Sequence, residues 1–196
     1  MTRRLILSGL WLFAGLTPAL AHIGEGVGGG LAAGLTHPLL GPDHLLAMVS
    51  VGIWGAQLGT PAIWMLPIGF PLIMAVGGAL GVIGIPLPAT ELIIALSVLT
   101  LGLVIARAER LPVAAALVIV AIFAIAHGHA HGVELPKSAD ALAFSVGFVV
   151  TTGVLHATGI LIGLLIKWPV GAIAIRCLGS LVALAGVYFI FNSLEA

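Results

Sequence analysis

What most constrains this chain is a succession of long apolar stretches, at about 27–57, 62–84, 89–107, 111–128, 140–166 and 169–192, each set off by Pro, Gly or charged residues. Each is long enough to cross about 30 Å of hydrocarbon as a helix, and hydrocarbon admits only segments that satisfy their own backbone hydrogen bonds. Of the 196 residues, 61% are hydrophobic and 7% are charged, whereas a soluble domain carries about a quarter charged residues. The reading is an all-α membrane protein of six transmembrane helices, with the lipid bilayer as its main partner. Seven basic residues balance seven acidic ones, so no net field favours nucleic acid or an anionic surface. The lone cysteine, Cys177, has no internal disulfide partner and reads as a small buried apolar residue.

The first 21 residues stand apart. Arg3 and Arg4 precede an apolar run from Leu5 to Leu16, and Ala19-Leu20-Ala21 has the small-x-small form that signal peptidase cuts. The expectation is a cleaved signal peptide over 1–21 and a single six-helix domain over 22–196. Its mature N-terminus, His22, would then lie outside the cytoplasm. With that orientation the turn holding Arg107 and Arg110 and the turn holding Lys167 face the cytoplasm, as the bias of basic residues requires, and only Lys137 falls outside. The first segment is long, and Pro38, Gly41 and Pro42 interrupt its middle. It reads as one span broken at His37–His44. On the second span Gly77, Gly78, Gly81 and Gly84 recur at helical spacing, as helices that pack closely in lipid require.

Two polar clusters interrupt the apolar pattern. Thr36-His37-Pro38-Leu39-Leu40-Gly41-Pro42-Asp43-His44 places two imidazoles and a carboxylate within the first span. Such groups are costly in hydrocarbon and persist where they face a cavity or a ligand. Imidazole with carboxylate suits nickel, cobalt, zinc or copper, and Asp43 is a ligand, the group that orients one, or simply a hydrogen-bond acceptor. The second cluster, His127-Gly128-His129-Ala130-His131-Gly132-Val133-Glu134, closes the fourth span. His127 and His131 share a face if the helix persists, while the alternating glycines are equally compatible with a loop. Glu134 is in reach of His131 on either geometry, and His129 is the weaker candidate.

Single residues extend the metal-ligand set. His156 lies deep in the fifth span, where it either serves the pathway or hydrogen-bonds a neighbouring helix. Glu91, near the start of the third span, is either an interfacial carboxylate or a pathway ligand. Arg176 needs a partner or must snorkel. Phe70, between Pro67 and Pro71, either lines a kinked second span or packs in the core, and core is the preferred reading. His22 and Glu25 belong to the set only if the signal is cut, when the free amine and imidazole of His22 would chelate a cation at the outer mouth.

HPLLGPDHLLAMVSVG, AHGHAHGVELP and VLHATGILIG together resemble the HupE/UreJ family of bacterial nickel and cobalt permeases, over essentially the whole mature length. The family's motifs fall on His37, Pro38, Gly41, Asp43 and His44, then on His127, Gly128, His131, Gly132 and Glu134, with His156 on a less specific pattern. The resemblance implies secondary, ATP-independent uptake of Ni2+, with Co2+ as the second candidate, across the bacterial inner membrane, with no prosthetic group. It leaves the oligomeric state open. The absence of a GxxxxGK[ST] phosphate loop agrees with it. Two other classes use the same residue types: an intramembrane zinc-dependent hydrolase and a metal-binding subunit without flux. The missing HExxH helix counts against the first.

Overall fold

The computed structural model of the protein describes residues 26–135 and 140–195, all helices and turns among the described residues. The segment expected to be a signal peptide, His22, Glu25 and Lys137 lie outside them. The helices are α1 (Gly26–Leu40), α2 (Pro42–Leu58), α3 (Ala62–Val82), α4 (Thr90–Arg107), α5 (Val113–Val133), α6 (Ala141–Gly163) with a 3-10 turn at Leu164–Lys167, and α7 (Pro169–Glu195). From α3 to α7, each is long and apolar enough to cross a membrane. The α1–α2 pair, bent by 82° between Leu40 and Pro42, is long and apolar enough only as a pair and makes a sixth crossing when taken as one broken span.

The break sits where local chemistry puts it. Gly41 is extended (φ −91°, ψ 108°), as the residue before a proline prefers, and Pro42 occupies the first turn of α2, where its missing N–H costs no helical bond. Asp43 then accepts the backbone N–H of His44 at 2.8 Å. The sequence therefore breaks the span within the motif that carries His37, Asp43 and His44.

The remaining helices pack in seams with glycine at the crossings. A Cβ on Gly128 would run into the Met74 carbonyl and one on Gly132 into the Gly78 carbonyl, which brings α3 and α5 backbone to backbone. Gly102, Gly179 and Gly186 do the same for α4 and α7, and Gly52 and Gly159 for α2 and α6. Trp54, Phe70, Met48 and Leu66 are fully buried in the core.

Three expectations are corrected. The fourth span runs to Val133 rather than stopping at Gly128, because the glycines of the His-rich tract serve helix packing and not a loop. Gly84, at φ 75°, belongs to the turn after α3 and has no packing partner within 4 Å. Cys177 is exposed on α7, since its neighbour Ile175 takes the buried position. Arg176 donates from Nε to the Ala106 carbonyl at 2.9 Å, which supplies the partner expected of it.

Six crossings leave Arg107, Glu109, Arg110 and Lys167 on one face, and Glu91, Glu134 and Asp140 on the other. The histidines gather toward the acidic face.

Candidate metal site

Continuation of α5 to Val133 decides which histidines meet. At helical spacing His127 and His131 share the inward face, while His129 points the other way. There His129 donates from Nε2 to the Ile85 carbonyl at 2.8 Å and lies 3.4 Å from the Thr90 hydroxyl, clamping α5 to the turn before α4. It stays apart from the other imidazoles.

His37, near the end of α1, reaches the same end of α5. Its Nε2 lies 2.9 Å from Nδ1 of His131 and 3.1 Å from Oε2 of Glu134. One ligand atom from each of the three lies within 4.8 Å of the others. The group grades from buried His131 through part-buried His37 to exposed Glu134, so it opens outward. Thr151 donates to the Leu35 carbonyl at 2.8 Å and fixes α1 on α6, while Phe144 and Phe148 pack against the His37 ring. Two nitrogens and a carboxylate oxygen form an incomplete set, with room for water or further ligands on a borderline cation. Glu134 lies beyond the end of α5, and its closeness to His131, at 3.8 Å, and its hydrogen bond with His37, at 3.1 Å, hold its carboxyl well below the ordinary carboxylate range. The charged carboxylate is the favoured form.

Two more imidazoles continue inward. The His44 ring centroid is 4.5 Å from that of His131 and 4.8 Å from that of His127. Asp43 accepts from His44 Nδ1 at 2.8 Å, and the Phe123 carbonyl accepts from His127 Nδ1 at 2.9 Å. Each bond fixes a tautomer whose lone pair sits on Nε2, the arrangement found behind metal-binding histidines. The Nε2 atoms of His44, His127 and His131 are buried and have no hydrogen-bond partner among the described residues. Buried polar atoms are seldom left so, and the rings of His127 and His131 both neighbour that of His44. Asp43 thus orients His44 from behind.

The other sequence candidates fall elsewhere. Glu91 is exposed in the first turn of α4, beside Thr90 at the rim, and belongs to no ligand group. His156 is buried in α6 and donates from Nδ1 to the Met48 carbonyl at 2.8 Å. Phe70, read from sequence as core, is core, and it also meets two imidazoles edge-on, His127 at 5.5 Å and His156 at 5.4 Å. Sequence reasoning missed that contact, and the one signal for it was Phe70's place between two prolines.

A family model described as HupE / UreJ protein matches residues 10–189. "Protein HupE" of Rhizobium leguminosarum bv. viciae is 44% identical over 170 residues, covering 86% of this chain and 89% of that protein. No solved structure matches the chain.

Proposed function

The chain belongs to the HupE/UreJ family, and from that premise we propose that it is a secondary transporter that takes up a divalent transition metal, Ni2+ first and Co2+ second, without ATP. The observation that carries the reading is the convergence of His37, His131 and Glu134 from two distant helices onto one outward-opening group. The cation is captured there, sheds water, and passes to His44 and His127. Incomplete His/carboxylate sets favour this traffic, because a pathway must bind firmly enough to select and weakly enough to release. A closed four-ligand cage would hold the ion.

His37, His131 and Glu134 have the ligand count of a hydrolytic zinc site, three protein ligands with a fourth position for water, so what weighs against hydrolysis is that the imidazoles continue beyond them. Here the imidazoles extend in a file, with the His131 ring 4.9 Å from His37 and 4.5 Å from His44. Basic residues on the face away from the histidines support an inner-membrane orientation with the capture group on the periplasmic side. A removed signal peptide over 1–21 and a part for His22 at the outer mouth belong to the same reading.

The test is uptake of radioactive nickel into proteoliposomes holding only this purified chain, with His44→Ala as control. Uptake by the wild type and none by the variant is expected. Equal uptake by both removes the inner station at His44, and no uptake by either folded protein removes transport.

A further inference from the structure

The outer group leaves one buried imidazole unused. His156 is 1% exposed, in the middle of the membrane-spanning part of α6. Its Nδ1 is committed to the Met48 carbonyl, so its lone pair sits on Nε2, which is buried without a hydrogen-bond partner among the described residues. An unpaired buried acceptor is costly. A leucine would fill the same space without that cost.

A second polar atom repeats the pattern one turn earlier on the same face of α6. The hydroxyl of Thr152 is fully buried and unpartnered. Thr36, Ser145, Thr158 and Ser180 instead bond the carbonyl four residues before them, the usual resort of a hydroxyl on a helix in apolar surroundings. Thr152 has the same option and does not take it. Phe70 links this pair to the histidines already described, since its fully buried ring lies edge-on to both His127 and His156.

We propose that His156, with the Thr152 hydroxyl beside it, is a separate inner ligand station for the divalent cation, across the Phe70 ring from His127. It rests on the metal-transport reading above, and it divides the path into two compartments. The outer one, from Glu134 to His127, exchanges metal with the outside. The inner one receives the ion through imidazole Nε2 and passes it toward the opposite face. The Met48 carbonyl takes the orienting part at His156 that Asp43 takes at His44, and in both cases the bond leaves Nε2 for the metal.

Equilibrium binding of Ni2+ to the purified full chain in lipid nanodiscs tests this without any need for flux. His156→Asn keeps an amide N–H close to the Met48 carbonyl and removes Nε2 together with the part of the ring that carries it and meets Phe70. The wild type should bind one more Ni2+ per chain at saturation than His156→Asn, with affinity at the remaining sites unchanged. In proteoliposomes the variant should lose about tenfold or more of its nickel flux. Equal stoichiometry, or flux restored to the wild-type rate by Asn, overturns the proposal, because a histidine that merely braces Met48 is replaceable by Asn. If the Asn variant elutes as aggregate, His156→Gln, which abandons Met48 but keeps the length, is expected to show the same missing ion. A wild type without flux refutes transport, while the difference in bound Ni2+ still decides for or against the inner station.

Discussion

The α3–α5 and α4–α7 seams are built by the same device and do different things. In both, glycines bring two helix backbones together. Gly128 and Gly132 meet Met74 and Gly78 in the first, and Gly102 and Gly179 interlock in the second. The first seam carries His127 and His131 on the face of α5 that turns toward α2, together with Phe70 on α3. In the second, Arg176 bonds a backbone carbonyl near one end. Close packing is thus a general means of holding helices together in lipid, where dispersion and backbone contact replace the hydrophobic effect. A site is added to it only where the inward positions carry groups left without partners.

Crowding the two seams alike is the harshest way to break this comparison. Gly128→Val and Gly102→Val each force a side chain into a neighbouring backbone, and overpacking of this kind costs about 1–3 kcal/mol or more. Both variants should lose folded protein, read as thermal aggregation in detergent. Their folded fractions should differ, with Ni2+ binding lost in Gly128→Val and kept in Gly102→Val. Loss of binding in both would mean that the second seam also shapes the site.

Smaller changes sharpen the picture within the first seam. His131→Ala removes the imidazole that stands between His37 and His44, and should lower Ni2+ affinity about 100-fold, measured by isothermal titration, with the fold kept. Asp43→Asn should cost about tenfold in affinity, since it weakens only the bond that orients His44. Asn can still accept the His44 backbone N–H, so the melting temperature should barely move. An equal loss in the two variants would make Asp43 a ligand in its own right.

Much of this was legible in the sequence, and the exceptions have a common cause. The six crossings, the break before Pro42 and the close-packing glycines of the second span follow from apolar length, proline and residue size, all of which act locally. Meetings of side chains from different helices are not local. Seven residues on a continuous helix would have put His37 and His44 on one face, yet with an 82° bend between them both still reach His131. The His-rich end of α5 was ambiguous between helix and loop, because glycine permits either and only the presence of α3 decides. His129 and His131 are alike in sequence and differ in what they face, a turn carbonyl for one and two imidazoles for the other. No rule of spacing reveals that Phe70 touches His127 and His156.

The mildest prediction concerns pH and the outermost ligand. The nearness of His131 and the hydrogen bond with His37 lower the Glu134 carboxyl below its ordinary value in the folded protein. A depressed folded value means that the stabilising contribution is complete above the unfolded value, near 4.5, and is lost as pH falls through the folded one. The wild type should therefore melt above Glu134→Gln by a gap that is constant from about pH 7 to pH 5 and narrows only below about 4.5. Glu134 is half exposed, so solvent screens these contacts and the gap should be small. Melting curves of both proteins across that range, without metal, measure it. A gap that closes already between pH 7 and pH 5 would mean that the contacts of Glu134 depend on protonation of the imidazoles, and the charged carboxylate would then not be a fixed feature of the outer mouth.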